Sequence, residues 1–107
     1  MSADINADVT GLLEQVRRQE EQVRRIQRSV ETAEVKGASR GNEVTVTLRG
    51  TGRFTEISID PEAIRRYDAR NLGEIVLEAV NDGLQKLAAV SSARFAPVIE
   101  AASKGFE

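Results

Sequence analysis

Five arginines between residues 17 and 28 carry the most distinctive chemistry of this chain. They form two adjacent pairs seven residues apart and one further member: Arg17, Arg18, Arg24, Arg25 and Arg28. The same stretch holds two glutamates, so five positive charges face two negative ones, a local excess of three. A guanidinium group presents a planar fork of donors that matches the oxygens of a phosphate. A cationic surface that repeats every seven residues suits a polyanion better than a small ligand.

The arginines also fit a second interpretation, that of a solvated helix face. Three glutamates stand four residues before an arginine, as Glu14 before Arg18, Glu20 before Arg24 and Glu21 before Arg25. Pairs in this order stabilise a helix by about 0.2–0.5 kcal/mol each. The residues alone therefore leave phosphate binding and a self-paired surface both open.

A seven-residue apolar repeat predicts the helix that positions these arginines. Its members occupy the a and d positions of successive heptads, with one polar exception: Val9, Leu12, Val16, Gln19, Val23, Ile26, Val30 and Ala33. Such a seam lies along another helix. We expect a helix that begins near Asp8 or Thr10, ends at about Ala33 and measures ~38 Å. Its seam should pack against a second helix of this chain or against a dimer partner.

Strand patterns follow the helix. Glu34–Lys36 predicts a short strand that ends at Gly37, and the alternation of Val44–Arg49 is typical of a half-buried strand. Gly50–Gly52 predicts a hairpin turn in which both glycines supply positive φ. Arg53–Ile59 returns as a third strand. The pattern therefore predicts a three-stranded antiparallel meander.

One residue of the third strand does not fit its two-residue alternation of side chains. Thr55, Ile57 and Ile59 alternate on one face, whereas Phe54 falls out of phase with them. We therefore expect a turn-end residue or a β-bulge at Phe54.

Two further helices complete the chain. Pro61 at the first helical position after Asp60 predicts a short helix to about Arg66. A long helix should begin near Asn71, with Asn71 and Glu74 as a capping box or Asp68 as an alternative cap. Its apolar stripe comprises Leu72, Ile75, Val76, Ala79, Val80, Leu84 and Leu87.

Three details of this second long helix concern its packing and its end. Gly83 lies in the apolar stripe, where it would allow another helix to approach closely. Asn81-Asp82 either bonds across a dimer interface or lies at the helix surface. Pro97 interrupts helical hydrogen bonding, so we expect residues 93–107 to form a weakly ordered or helical tail.

Composition excludes several classes of function. The 107 residues include no cysteine and no histidine, which removes disulfides, thiolate zinc sites and the usual nucleophile–base pairs. Asp60 and Glu62 are better explained by helix capping than by Mg²⁺ binding. We therefore expect no catalytic, cofactor or metal site. The chain has no apolar run of transmembrane length and no signal-peptide pattern, so we expect no membrane partner and a cytoplasmic location.

Four short motifs carry a resemblance to a known family. They are residues 35–37 (Val-Lys-Gly), residues 41–48 with Gly50, residues 57–61 (Ile-Ser-Ile-Asp-Pro) and residues 80–84 (Val-Asn-Asp-Gly-Leu). In this order and spacing the chain resembles the YbaB/EbfC family of bacterial nucleoid-associated proteins over about residues 9–92. The resemblance implies one α+β domain over residues 1–107. It also implies a tweezer-like homodimer that pairs through its sheets and projects its helices as arms.

The resemblance also implies a partner. Family members bind duplex DNA, often with little sequence preference, and some influence transcription and nucleoid organisation. On this chain the contacts would come from the five arginines of the first helix, joined by Lys86 and Arg94 from the second. The alternative on the same fold is a protein–protein interaction module whose helical arms clamp a partner protein and bind no DNA.

Overall fold

A computed structural model of the protein describes residues 2–105, with side chains described for residues 8–103. The elements follow in the order α1 (Ser2–Thr32), β1 (Glu34–Ala38), β2 (Val44–Arg49), β3 (Phe54–Ile59), α2 (Pro61–Arg66) and α3 (Ala69–Gly105). This order confirms the predicted α+β fold. The two long helices make the molecule elongated, with extents of 80 × 26 × 16 Å.

The sheet is an antiparallel meander in the order β1-β2-β3. Val44, Val46 and Leu48 alternate along the central strand and are at most 1% exposed. Helix α3 covers their face where it crosses β1 and β2, and Ala79 of α3 is 0% exposed. The small core of this protein therefore lies between one helix and two strands.

A β-bulge shifts the register of β3. Leu48 pairs with Phe54, whereas the preceding Thr47 pairs with Glu56, so Thr55 is the extra residue. The bulge predicted at Phe54 is confirmed. The extra residue puts Phe54 on the face of Ile57, since their partners Leu48 and Val46 lie on one face of β2.

The two glycines of the β2–β3 turn serve different purposes. Gly52 has a φ of 88°, as a tight turn requires. Gly50 does not lie in the positive-φ region, so that part of the prediction was wrong. A Cβ at Gly50 would collide with the carbonyl of Val30, and the Gly50 amide donates to the carbonyl of Ala33 at 3.0 Å. Gly50 therefore allows the hairpin to pack directly on the end of α1.

Close backbone contact also joins α3 to the sheet. A Cβ at Gly37 would lie 2.6 Å from the carbonyl oxygen of Ala79 and would also collide with the amide nitrogen of Gly83. A Cβ at Gly83 would lie 3.0 Å from Leu48 Cδ2. Gly83 thus permits the close approach of strands, and the expectation that another helix would approach there was wrong.

Two carboxylates of α3 extend this contact along β1. Asp82 Oδ2 accepts a hydrogen bond from the Ala38 amide at 2.9 Å, and Glu78 Oε1 accepts one from the Arg40 amide at 2.7 Å. The question left open at Asn81-Asp82 is answered for Asp82, whose carboxylate ties α3 to the sheet within one chain. The Ala38 amide, and then Lys86, lowers the pKa of Asp82.

The start of α1 differs from the prediction. It begins at Ser2 rather than at Asp8 or Thr10, because residues 2–8 contain neither glycine nor proline to stop it. Its end at Thr32 agrees with the predicted end near Ala33. Helix α2 also has its predicted bounds, and Asp60 Oδ1 accepts from the Glu62 amide at 3.0 Å as its cap.

Both ends of α3 differ from the prediction of a start near Asn71 and an interruption at Pro97. It begins at Ala69, where Asp68 Oδ1 accepts from the Asn71 amide at 2.8 Å. Asp68 is therefore the cap, and the predicted capping box was wrong because Asn71 already lies within the first turn. The helix continues through Pro97 to Gly105, since a proline removes only one amide donor from a long ladder. Residues 106–107 of the predicted tail lie outside the described residues.

Candidate nucleic-acid interface

Helices α1 and α3 lie side by side and form an arm that extends from the sheet. Arg94 of α3 donates to the carbonyl and the hydroxyl of Ser29, the latter at 2.6 Å. Farther along, Val98 and Ala101 line a shared groove with Val16 of α1. Rising residue numbers on α3 thus meet falling numbers on α1, so the two helices are antiparallel.

Four of the five arginines of α1 lie outside the groove that α1 shares with α3, whereas Arg24 is one of the residues that line it. With about 100° of rotation per residue, Arg17, Arg24 and Arg28 point about 80–120° from the Val16 direction. Arg18 and Arg25 point about 180–200° from it. Val16 and Val23 line the groove that α1 shares with α3, and Ser29 accepts from Arg94 of α3 closer to the sheet. All five arginines are exposed, so the sequence placed this cationic face correctly on the solvent side of α1.

The arginines differ in their acidic partners. Glu14 holds two of them, with Oε1 2.6 Å from Arg17 Nη2 and Oε2 3.6 Å from Arg18 Nη2. This contact confirms the predicted Glu14–Arg18 pair. The two side chains remain 68% and 81% exposed, so the pairs add little stability and break easily.

The second half of the arginine face has no such partners. Over residues 8–103, no carboxylate oxygen lies within 4.0 Å of Arg24, Arg25 or Arg28. The predicted pairs with Glu20 and Glu21 therefore do not form, because the free energy of an exposed pair scarcely offsets the entropy of holding two long side chains. Three neighbouring guanidinium groups are left available to an anion.

Lys86 and Arg94 do not join this face. The ammonium group of Lys86 lies 2.9 Å from Asp82 Oδ2, beside the sheet. Arg94 lies between the two helices of the arm, where Ser29 holds its guanidinium. Both cations thus stabilise contacts within the chain.

A third adjacent arginine pair, which was not predicted as part of a site, lies on α2. Arg65 and Arg66 are exposed in the last turn of α2, and the Arg66 guanidinium lies 5.7 Å from the centre of the Tyr67 ring. The adjacent arginines were a visible signal, but no helical repeat accompanies them. They lie next to the sheet rather than on the arm.

Neither a metal site nor a membrane-spanning helix is supported by the described residues. No group of three or more acidic side chains is placed to hold a metal ion within the described part of the chain. The same residues contain no helix that is both long and apolar enough to cross a membrane. The arginine face is therefore the surface with the clearest chemical character.

The family model of the YbaB/EbfC DNA-binding family matches residues 6–102. This chain belongs to the YbaB/EbfC DNA-binding family. Its similarity extends to a nucleoid-associated protein of Thermobifida fusca (strain YX), 28% identical over 103 residues, which cover 92% of this chain and 89% of that protein. A nucleoid-associated protein of Mycobacterium sp. (strain KMS) is 30% identical over 91 residues, 85% of this chain and 83% of that protein.

A solved structure shares the fold. The uncharacterized protein HP0035 from Helicobacter pylori superimposes with a TM-score of 0.59 at 21% identity, over 86% of this chain and 90% of that one. Two of the four motifs that first indicated the family, residues 35–37 and residues 80–84, also meet in space, because Gly37 contacts Gly83 and Asp82 holds the adjacent Ala38 amide. They build the contact between sheet and helix from which the arm extends.

Proposed function

We propose that this protein is a nucleoid-associated protein that binds duplex DNA as a homodimer, with the arginines of α1 contacting backbone phosphates. The observation that carries the proposal is the exposed arginine face, on which Arg24, Arg25 and Arg28 lack an acidic partner among residues 8–103. Membership of a DNA-binding family favours the interpretation that the arginines bind a polyanion over the interpretation that they only pair with glutamates of the same helix.

The spacing of the arginines suits an extended phosphate backbone. The pair at Arg17 and the pair at Arg24 are about 10 Å apart along the helix axis, so one arm reaches several phosphates. Each contact releases condensed counterions, which makes the affinity dependent on salt concentration. Phosphates carry no direct sequence information, so low sequence preference follows.

A homodimer is supported by the apolar surface that a single chain leaves uncovered. Helix α3 packs on β1 and β2, and Ile57 of β3 stays 51% exposed. Leu77 and Leu84, seven residues apart on α3, are 60% and 42% exposed. Large apolar side chains left exposed in this way are what a protein interface would cover. We assign it to a second copy, which gives the DNA-bound molecule two arms.

The proposed homodimer also predicts where the protein acts and what it affects. A homodimer that coats DNA without strong sequence preference would act in the cytoplasm on the nucleoid, with effects on its organisation and on transcription. Residues 1–107 would serve as one domain in that role.

The test is fluorescence anisotropy of a labelled duplex at low salt, with a double variant, Arg24→Gln/Arg25→Gln. The loss of two phosphate contacts in each arm should weaken binding by more than about tenfold. The matched control is Arg65→Gln/Arg66→Gln, which removes the same charge from another adjacent pair on a helix. Circular dichroism should show both variants folded.

Three results would count against the proposal. Equal weakening by both variants would show a general charge effect, and weakening by the α2 variant alone would move the site to α2. No binding by the native protein at low salt would refute DNA as the partner. That last result would favour the alternative module that clamps a protein.

A further inference from the structure

Helix α1 contains one five-residue sequence twice. Residues 14–18 and residues 21–25 both read Glu-Gln-Val-Arg-Arg, and the second copy follows the first by one heptad. The two repeats therefore present the same side chains on the same side of the helix, about 10 Å apart along its axis. Residues 21–25 form the repeat nearer the sheet, because α1 ends at Thr32, where the β2–β3 turn packs on it.

The glutamate of each repeat points between the two arginines that follow it. At about 100° of rotation per residue, the direction of the glutamate lies about 60° from that of the first arginine and about 40° from that of the second. The carboxylate is thus placed to reach both guanidinium groups. Since the repeats have identical side chains, the contacts of each glutamate can be compared directly.

These contacts differ between the repeats. The Glu14 carboxylate bridges its arginine pair, with Oε1 2.6 Å from Arg17 Nη2 and Oε2 3.6 Å from Arg18 Nη2. Among residues 8–103, no guanidinium or ammonium nitrogen lies within 4.0 Å of the Glu21 carboxylate. A carboxylate therefore occupies the outer arginine pair of the arm, whereas the inner pair is open.

The Glu14 carboxylate lies where a phosphate group would have to bind. Carboxylate and phosphate oxygens accept hydrogen bonds from the same guanidinium donors, and both groups are anionic. A phosphate can bridge Arg17 and Arg18 in this way only after Glu14 has turned aside. The Glu14 side chain is 47% exposed, so it has room to turn.

We propose that Glu14 competes with DNA phosphates for Arg17 and Arg18, so that each arm carries one open phosphate site and one that an internal carboxylate holds. This inference rests on the proposed DNA binding and identifies the residue that sets the affinity of the outer site. Phosphate binds first to Arg24 and Arg25, near the sheet, and reaches the outer pair by displacing Glu14.

The exposure of the Glu14 pairs sets the size of the effect. Exposed ion pairs are weak, and breaking one changes an equilibrium constant by roughly 1.5-fold to fivefold. Displacing Glu14 in each of two arms should therefore lower the affinity for DNA by about tenfold.

The test compares Glu14→Gln with Glu21→Gln in anisotropy titrations of a labelled duplex. Both variants remove one negative charge from the same heptad position, and glutamine has nearly the helix propensity of glutamate. Glu14→Gln should tighten binding by about tenfold. Glu21→Gln should tighten it by at most about threefold, the general effect of one negative charge fewer in each arm. Equal tightening by both variants, or none by Glu14→Gln, would overturn the proposal.

A double-mutant cycle shows whether Glu14 acts through its two arginines. In a chain that already carries Arg17→Gln/Arg18→Gln, the further change Glu14→Gln should tighten binding no more than Glu21→Gln does. A tenfold gain that persists in that chain would refute the competition. Circular dichroism should show the same helix content in all variants.

The failure of this inference can be told from the failure of the proposed function. If Arg24→Gln/Arg25→Gln weakens binding while Glu14→Gln and Glu21→Gln act equally, phosphate binding by α1 stands and competition by Glu14 is rejected. If neither the native protein nor Glu14→Gln binds the duplex at low salt, both proposals are refuted.

Discussion

The contact between Gly37 and α3 gives the sharpest test of how the arm is fixed to the sheet. Replacing Gly37 by alanine puts a Cβ 2.6 Å from the carbonyl oxygen of Ala79 and 2.6 Å from Gly83 Cα. Ordinary contact begins at 3.4 Å. Helix α3 would thus have to retreat by about 0.8 Å, the difference between these distances, and would loosen its packing on Val46.

The cost follows from the rigidity of the atoms involved. Overpacking a well-packed core costs about 1–3 kcal/mol. Both partners at Gly37 are backbone atoms that cannot rotate away, so we expect the upper end, about 3 kcal/mol. For a domain of this size that is a fall of roughly 12–24 °C in Tm.

The matched control is Gly83→Ala, across the same contact. Its Cβ would meet Leu48 Cδ2 at 3.0 Å and Val46 Cγ2 at 3.2 Å, so two side chains rather than backbone atoms would have to move, by a few tenths of an ångström. Alanine in a helix interior also gains about 1 kcal/mol over glycine. We expect the free energy of unfolding to change by less than about 1 kcal/mol.

Urea unfolding of the three proteins, followed by circular dichroism, measures the difference. A Gly37→Ala variant as stable as the native protein, or less affected than Gly83→Ala, would refute the close backbone packing described above.

Three smaller predictions concern single contacts. Asp82 has a lowered pKa from the Ala38 amide and Lys86; its stabilising effect is complete above the ordinary carboxyl pKa of about 4 and is lost as pH falls through the lower folded value. The urea midpoint should therefore drop more steeply below about pH 4 in the native protein than in Asp82→Asn, and parallel curves would contradict this. Asp60→Ala should lower the free energy of unfolding by about 1 kcal/mol through loss of the α2 cap, and an unchanged urea midpoint would argue against capping. Arg94→Gln should leave the salt slope of DNA binding unchanged, since Ser29 holds this guanidinium; a slope flatter by about 2, one contact in each of two arms, would make Arg94 a phosphate contact.

Local patterns were enough to predict most of the elements. The alternation in Val44–Arg49 and the Asp60-Pro61 pair each act within a few residues, and both elements have the predicted bounds. The arginine face was also predictable, because helical periodicity alone places side chains around the axis.

Contacts between distant residues were not predictable in this way. Gly37 and Gly83 are far apart in the chain, so no local pattern reveals that a strand rather than a helix approaches Gly83. Gly50 looked like a second turn glycine, yet its role depends on Val30 at the end of α1. The heptad repeat of α1 indicated a packing seam, but not that α3 would cover only part of it.

The salt dependence of DNA affinity tests the central proposal most directly. If all five arginines in each of two arms contact phosphates, the slope of log affinity against log salt is about −9. Arg24→Gln/Arg25→Gln leaves three per arm, for a slope of about −5, whereas Arg65→Gln/Arg66→Gln should keep the native slope. A native slope near zero, or an unchanged slope in the Arg24→Gln/Arg25→Gln variant, would contradict phosphate binding by the arginine face of α1.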